Sequence, residues 1–160
     1  MQPRFILIFA LIATLGLPAE ANTLVVSEVR GGCIVVFESG FTVHLTGVSI
    51  PGPDTQIGRL AHDFAKRRLE RKRVAVFTWT TDNTATGIVR GEDGLAFAKV
   101  VYGEGLSGKG AGGGTDIAAE LLELGYARVD SDHLPDGYEH YRDLERYAKD
   151  RQVGLWASAD

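Results

Sequence analysis

The sequence is 160 residues long, with 44% hydrophobic and 24% charged residues. That is the balance of an ordinary globular domain, with enough chain for one sizeable core. A formal net charge of −4 excludes a molecule drawn to polyanions by its whole field, and a single cysteine, Cys33, excludes an intramolecular disulfide. Basic charge is nonetheless concentrated: seven Lys or Arg lie between Arg59 and Arg73 against Asp63 and Glu70, whereas Asp116 to Asp160 carries eleven acids against five bases.

The chain starts with MQPRFILIFALIATLGLPAEA, in which Arg4 precedes an apolar run and Ala19-Glu20-Ala21 ends it. This is the pattern of a secretory signal peptide cleaved after Ala21. Phe5 to Leu17 falls short of the roughly 20 apolar residues a spanning helix needs. The expectation is an exported protein, periplasmic or secreted, with no membrane attachment after cleavage and a single domain over 22–160.

TLVVSEVR and CIVVFESGFTVHLTGV alternate as strands do, with Ser39-Gly40 between the second pair. A two-residue loop there sets Glu38 opposite Phe41, Val35 opposite His44 and Cys33 opposite Thr46. Ile34, Val36, Phe41, Val43 and Leu45 then form the core face, and Cys33 and His44 become diagonal neighbours, a candidate thiol–imidazole pair for nucleophilic or soft-metal chemistry. After the Pro51/Pro53 turn, Thr55 reads as the N-cap of a helix whose apolar stripe is Ile57, Leu60, Ala61 and Phe64.

VAVFTWT and LAFAKVVY read as two more strands. DIAAELLELGYARV reads as a short helix ended by Gly125, and YEHYRDLERYAKDRQVGLW as a closing amphipathic helix with Tyr141, Leu144 and Ala148 on one side. Strands followed by closing helices, without βαβ alternation, make a small α+β domain.

Between them lies GEGLSGKGAGGG, where Gly103 to Lys109 fits a phosphate-loop pattern, but Gly110 stands where the magnesium-binding Ser or Thr belongs. It reads as a flexible connector. The basic run Lys66-Arg67-Arg68-Leu69-Glu70-Arg71-Lys72-Arg73 has the charge to grip phosphates, with Arg67, Arg68 and Arg71 the candidate ligand-binding residues; a solvated helix end is the alternative. His62, His133 and His140 show no metal spacing, and Asp130, Asp132 and Asp136 lack the pattern of a calcium loop, so they read as a solvated connector and no metal ligand is expected.

In order, GGCIVVFESGFTVHLTGVSIPGP, the helix residues Gly58, Ala61, Phe64 and Leu69, then KRVAVF, LAFAKVV, LLELGYARV and a final GLW resemble the staphylococcal-nuclease-like (thermonuclease) family over about Leu24 to Trp156. The resemblance implies a five-stranded OB-fold β-barrel with three helices and calcium-dependent hydrolysis of DNA and RNA. Residue by residue it implies a loss. The family's Asp-Gly-Asp-Thr falls on Gly31-Gly32-Cys33-Ile34, placing Cys33 where an Asp binds calcium. His44 replaces a phosphate-clamping Arg, Ser49 a calcium-ligating Asp, Gly52 the Glu that activates water, and Leu95 the Arg of a Gly-Arg pair.

Calcium seeks hard oxygen ligands, so no cofactor is expected at those positions. The main expectation is a catalytically degenerate domain that binds a nucleic acid, another anionic ligand or a protein. The alternative is a divergent phosphodiesterase rebuilt around His44, Asp54 and Arg90, with Asp93 placed to approach the same cleft.

Overall fold

The computed structural model describes residues 22–78, 88–104, 106 and 113–157. The segment 1–21 and most of the Gly-rich stretch lie outside the described residues. Strands β1 (Asn22–Arg30), β2 (Ile34–Phe37), β3 (Thr42–Leu45) and β4 (Val48–Ser49) precede helix α1 (Gln56–Leu69). Then come β5 (Arg73–Thr78), β6 (Ala96–Tyr102), β7 (Thr115–Asp116), α2 (Ile117–Glu123), β8 (Arg128–Val129) and α3 (His140–Asp150).

The main sheet runs β3-β2-β1-β5-β6-β7, and a parallel pairing of β3 with β6 closes the first five of these strands into a barrel. Closure leaves those strands no free edge. The expected five-stranded barrel with three helices is the observed architecture. Its interior is filled by Val26, Val35, Phe37, Val43, Leu45, Val74, Ala98 and Val100, all at most 1% exposed.

The expected hairpin register is off by one. Phe37 N–H donates to Phe41 O at 2.9 Å and Gly40 N–H to Phe37 O at 2.9 Å, leaving a three-residue loop, Glu38-Ser39-Gly40. Gly40 takes φ +83°, the left-handed conformation that such a loop needs at its third position. The pairs are therefore Ile34 with His44, Val35 with Val43 and Val36 with Thr42. A slip of one residue turns a strand over, so β2 buries Val35 and Phe37 where Ile34 and Val36 were expected, and Phe41 is exposed.

Thr55 caps α1 as expected, its Oγ1 accepting from Gly58 N–H at 2.9 Å. The helix buries Gly58, Ala61, Ala65 and Leu69, and Leu60 is exposed rather than part of the stripe. Small residues on that face let the helix lie close to the chain before it: a Cβ at Gly58 would stand 2.0 Å from the carbonyl oxygen of Gly52. Helices α2 and α3 pack together, with Tyr141 and Ala148 of α3 buried and Leu144 packed against the core. Among the described residues no helix is long and apolar enough to cross a membrane.

Candidate functional site

Closure of β3 on β6 aligns His44 with Phe97. Val43 and Leu45 point inward beside Ala96 and Ala98, so by strand alternation His44 and Phe97 lie side by side on the outer face. Their rings stack with centroids 5.3 Å apart.

The turn between Arg90 and Ala96 brings a carboxylate to the imidazole. Gly91 N–H donates to Leu95 O and Gly94 N–H to Gly91 O, both at 2.9 Å, and Asp93 Oδ2 lies 2.7 Å from His44 Nε2. That hydrogen bond, and next the Leu95 N–H bonded to Asp93 Oδ1 at 3.0 Å, hold the Asp93 carboxyl below its ordinary value.

A second imidazole arrives from far along the chain. Beyond β8, which pairs with β4, the turn Ser131–His133 is capped by Asp130, whose Oδ1 accepts from Asp132 N–H at 3.1 Å. Asp130 Oδ2 lies 2.7 Å from His133 Nδ1. The carbonyl of His133 accepts from buried Thr46 Oγ1 at 2.9 Å and from Gly47 N–H at 3.0 Å, fastening this turn to the end of β3. The His133 ring stacks on Phe97 at 4.1 Å. Two carboxylate-held imidazoles thus share one buried phenyl ring, with the side chains of His44 and His133 20% and 35% exposed.

The other sequence candidates lie apart from this cluster or face it differently. Arg90 extends from the same turn as Asp93, with Nη1 donating to Gly94 O at 2.8 Å. Asp54 is exposed beside the corner, where a Cβ on Gly52 would stand 2.6 Å from Asp54 Oδ1. Among the described residues no hydrogen bond or ion pair joins Asp54 to His44 or Arg90. Leu95 contributes its backbone to the turn, and it is Asp93 whose side chain reaches His44.

Cys33 does not pair with His44. Leu45 N–H donates to Cys33 O at 2.8 Å, so Cys33 sits opposite Leu45 and on the other face of the hairpin from His44. Burial pushes its thiol pKa up, and the Asp93 carboxylate adds to the effect. That opposes formation of the thiolate that nucleophilic or soft-metal chemistry requires.

The residues at the resemblance's calcium positions do not fit that ion. Cys33 offers a half-buried sulfur, Ser49 an exposed hydroxyl on a strand paired with Arg128, and Gly52 no side chain. Among the described residues no three His, Cys, Asp or Glu cluster to hold a metal ion.

The basic ridge is divided. Arg68 turns back onto the protein, its guanidinium 5.1 Å from the Phe64 ring and 3.8 Å from Glu120, which also accepts the Tyr102 hydroxyl. Lys66 stands 3.9 Å from Glu70. Arg67 and Arg71 are exposed, and among the described residues no carboxylate pairs with either.

Sequence reasoning missed the joint role of Phe97, His133 and Asp130. Asp130 followed three residues later by His133 was a usable local signal, since that spacing lets a carboxylate reach an imidazole across one tight turn.

No curated protein matches the chain. One family's sequence model does, that of the staphylococcal nuclease homologues, over residues 42–158. The match takes in the closing strand pair, α1 and both C-terminal helices, and the chain belongs to the staphylococcal nuclease homologue family.

Proposed function

We propose that this chain is an exported nuclease-fold domain that has lost the calcium-dependent chemistry of its family and binds single-stranded nucleic acid. The observation that carries the binding reading is the pair of exposed arginines at the end of α1, Arg67 and Arg71, free of carboxylate partners among the described residues. Lys72 and Arg73 follow them directly and are also exposed. Cations so placed exchange condensed counterions for phosphates, a term that needs no base readout. An acidic remainder restricts contact to this ridge, because the net charge of −4 repels a polyanion elsewhere.

The loss of calcium chemistry is supported by the donor set at Cys33, Ser49 and Gly52, which supplies no carboxylate. Export is supported by Arg4, the apolar run after it and Ala19-Glu20-Ala21.

The test is fluorescence anisotropy of a labelled single-stranded DNA titrated with the protein at several salt concentrations, with calcium and with chelator. Expected is salt-sensitive retention and an intact strand in both conditions. Retention that does not fall with salt removes the ridge from the account, and cutting that requires calcium overturns the claimed loss of chemistry. Absence of any retention directs the search to a protein partner.

A further inference from the structure

We propose that Arg71 is a polyanion-binding residue without which the fold would be more stable. The inference rests on the reading that the basic ridge grips a single strand, and adds to it a conflict between that grip and the stability of the barrel.

Helix α1 ends at buried Leu69 and β5 begins at Arg73, so the chain has only Glu70, Arg71 and Lys72 in which to reverse. Arg71 makes the reversal by taking φ +60°. A helix exit ordinarily places Gly in that left-handed conformation, because a Cβ is crowded there. The conformation is imposed from both sides. Arg71 N–H donates to Val26 O at 2.9 Å, Val26 N–H to Lys72 O at 3.0 Å and Lys72 N–H to Leu69 O at 3.0 Å. Val26 is fully buried, so the turn does not relax without moving β1. Strain of this kind persists only where the surroundings enforce it, and it gathers at functional positions.

The Arg71 side chain is exposed, and among the described residues no hydrogen bond, ion pair or ring contact of that side chain offsets the strain. Glu70, the adjacent acid, is turned to Val29 N–H at 3.3 Å and Lys66 at 3.9 Å. A cation suits the negative end of a helix dipole, but Lys66, Arg67 and Arg68 already fill the last turn of α1. With exposed Lys72 and Arg73 next in the chain, Arg71 adds like-charge repulsion to a strained backbone.

Gln152, with φ +51° just beyond α3, shows that the conformation alone does not mark a ligand site. Arg71 is set apart by the coincidence of that conformation with a cation, unpaired among the described residues, inside a basic run. A polyanion relieves the repulsion that the protein otherwise carries alone, so the same residue that weakens the fold strengthens the complex.

The experiment measures urea unfolding, and anisotropy of a labelled single-stranded DNA over a range of salt, for the wild type and three variants. Arg71→Gly and Arg71→Asn, the residues that best tolerate the left-handed region, should each raise the urea midpoint. Each should also flatten the salt slope by about 0.7, about a fivefold loss of affinity at 0.1 M salt for proteins matched at 1 M. Arg71→Lys keeps both the charge and the crowded Cβ, and should match the wild type in midpoint and slope.

A midpoint that rises in neither Arg71→Gly nor Arg71→Asn overturns the inference, since the arginine then serves the fold. Raised midpoints with an unchanged salt slope also overturn it, and leave the binding reading to Arg67 and the other cations of the ridge. Failure of the wild type to retain the strand overturns the binding reading, and this inference with it, whatever the midpoints.

Discussion

The carbonyl oxygen of Gly52 occupies the space next to Gly58 so closely that a Cβ there would approach it to 2.0 Å, with the Pro51 carbonyl at 2.6 Å. The chain's corner after β4 is therefore set by its contact with α1, which explains a well-formed turn at a position bare of ligands. Gly58→Ala must displace backbone on one side or the other. Overpacking of this kind costs about 1–3 kcal/mol, to be read as a lower urea midpoint. A midpoint equal to or above that of the wild type would show that the corner yields freely.

The two halves of the basic ridge should separate in a salt titration. Arg67→Gln and Arg71→Gln each remove a cation without a carboxylate partner, so each should flatten the slope of log K against log salt for a single strand by about 0.7. Arg68→Gln removes a cation already engaged with Phe64 and Glu120 and should leave the slope nearly unchanged. Equal effects from all three would mean that Arg68 swings out to meet the ligand.

On the acid side the His44–Asp93 contact should persist below the range in which exposed aspartates titrate. Asp93 is held below its ordinary value, chiefly by its hydrogen bond with His44. A depressed carboxyl contributes stability above its unfolded pKa and loses it as pH falls through the folded one. Carbon-detected NMR should therefore show Asp93 titrating below 3.8, the ordinary value, and His44→Gln should bring it upward. A midpoint already at that value in the wild type would contradict the pairing.

On the alkaline side the reporter is Tyr102, whose hydroxyl is raised to about 12, first by burial and then by its hydrogen bond to Glu120. A phenol with a raised pKa favours the fold below its unfolded pKa, near 10, and this contribution disappears as pH rises through the folded value. Buried Tyr141, bonded to Asp116 at 2.6 Å, is raised as well. Ultraviolet titration should show phenol ionisation continuing above the ordinary range, with Tyr102→Phe removing a late step. A single transition near 10 would count against both burials.

Much of the fold was legible because its signals are local. Alternation marked the strands, Thr55 marked the start of α1, and Gly125, with φ +69°, marked the end of α2. These features depend on residues within a turn or two of each other, where steric and hydrogen-bonding preferences act without help from the rest of the chain. These pieces gave a small α+β domain, and their order resembled a family whose fold is a five-stranded barrel with three helices, which the fold and the family match support.

What the sequence left open was decided at longer range. Whether Ser39-Gly40 or Glu38-Ser39-Gly40 forms the loop turned on one left-handed glycine, and that choice moved Cys33 and His44 to opposite faces. The contact of His44 with Asp93 spans 49 residues and that of Thr46 with the His133 carbonyl spans 87. Neither has a periodicity or spacing to reveal it, because both exist only where the barrel closes β3 onto β6 and docks the turn after β8 against them. The sequence by itself determined most of the elements and the family resemblance; only the tertiary structure decided which side chains meet at the barrel's closure, since non-local contacts follow from how the elements pack.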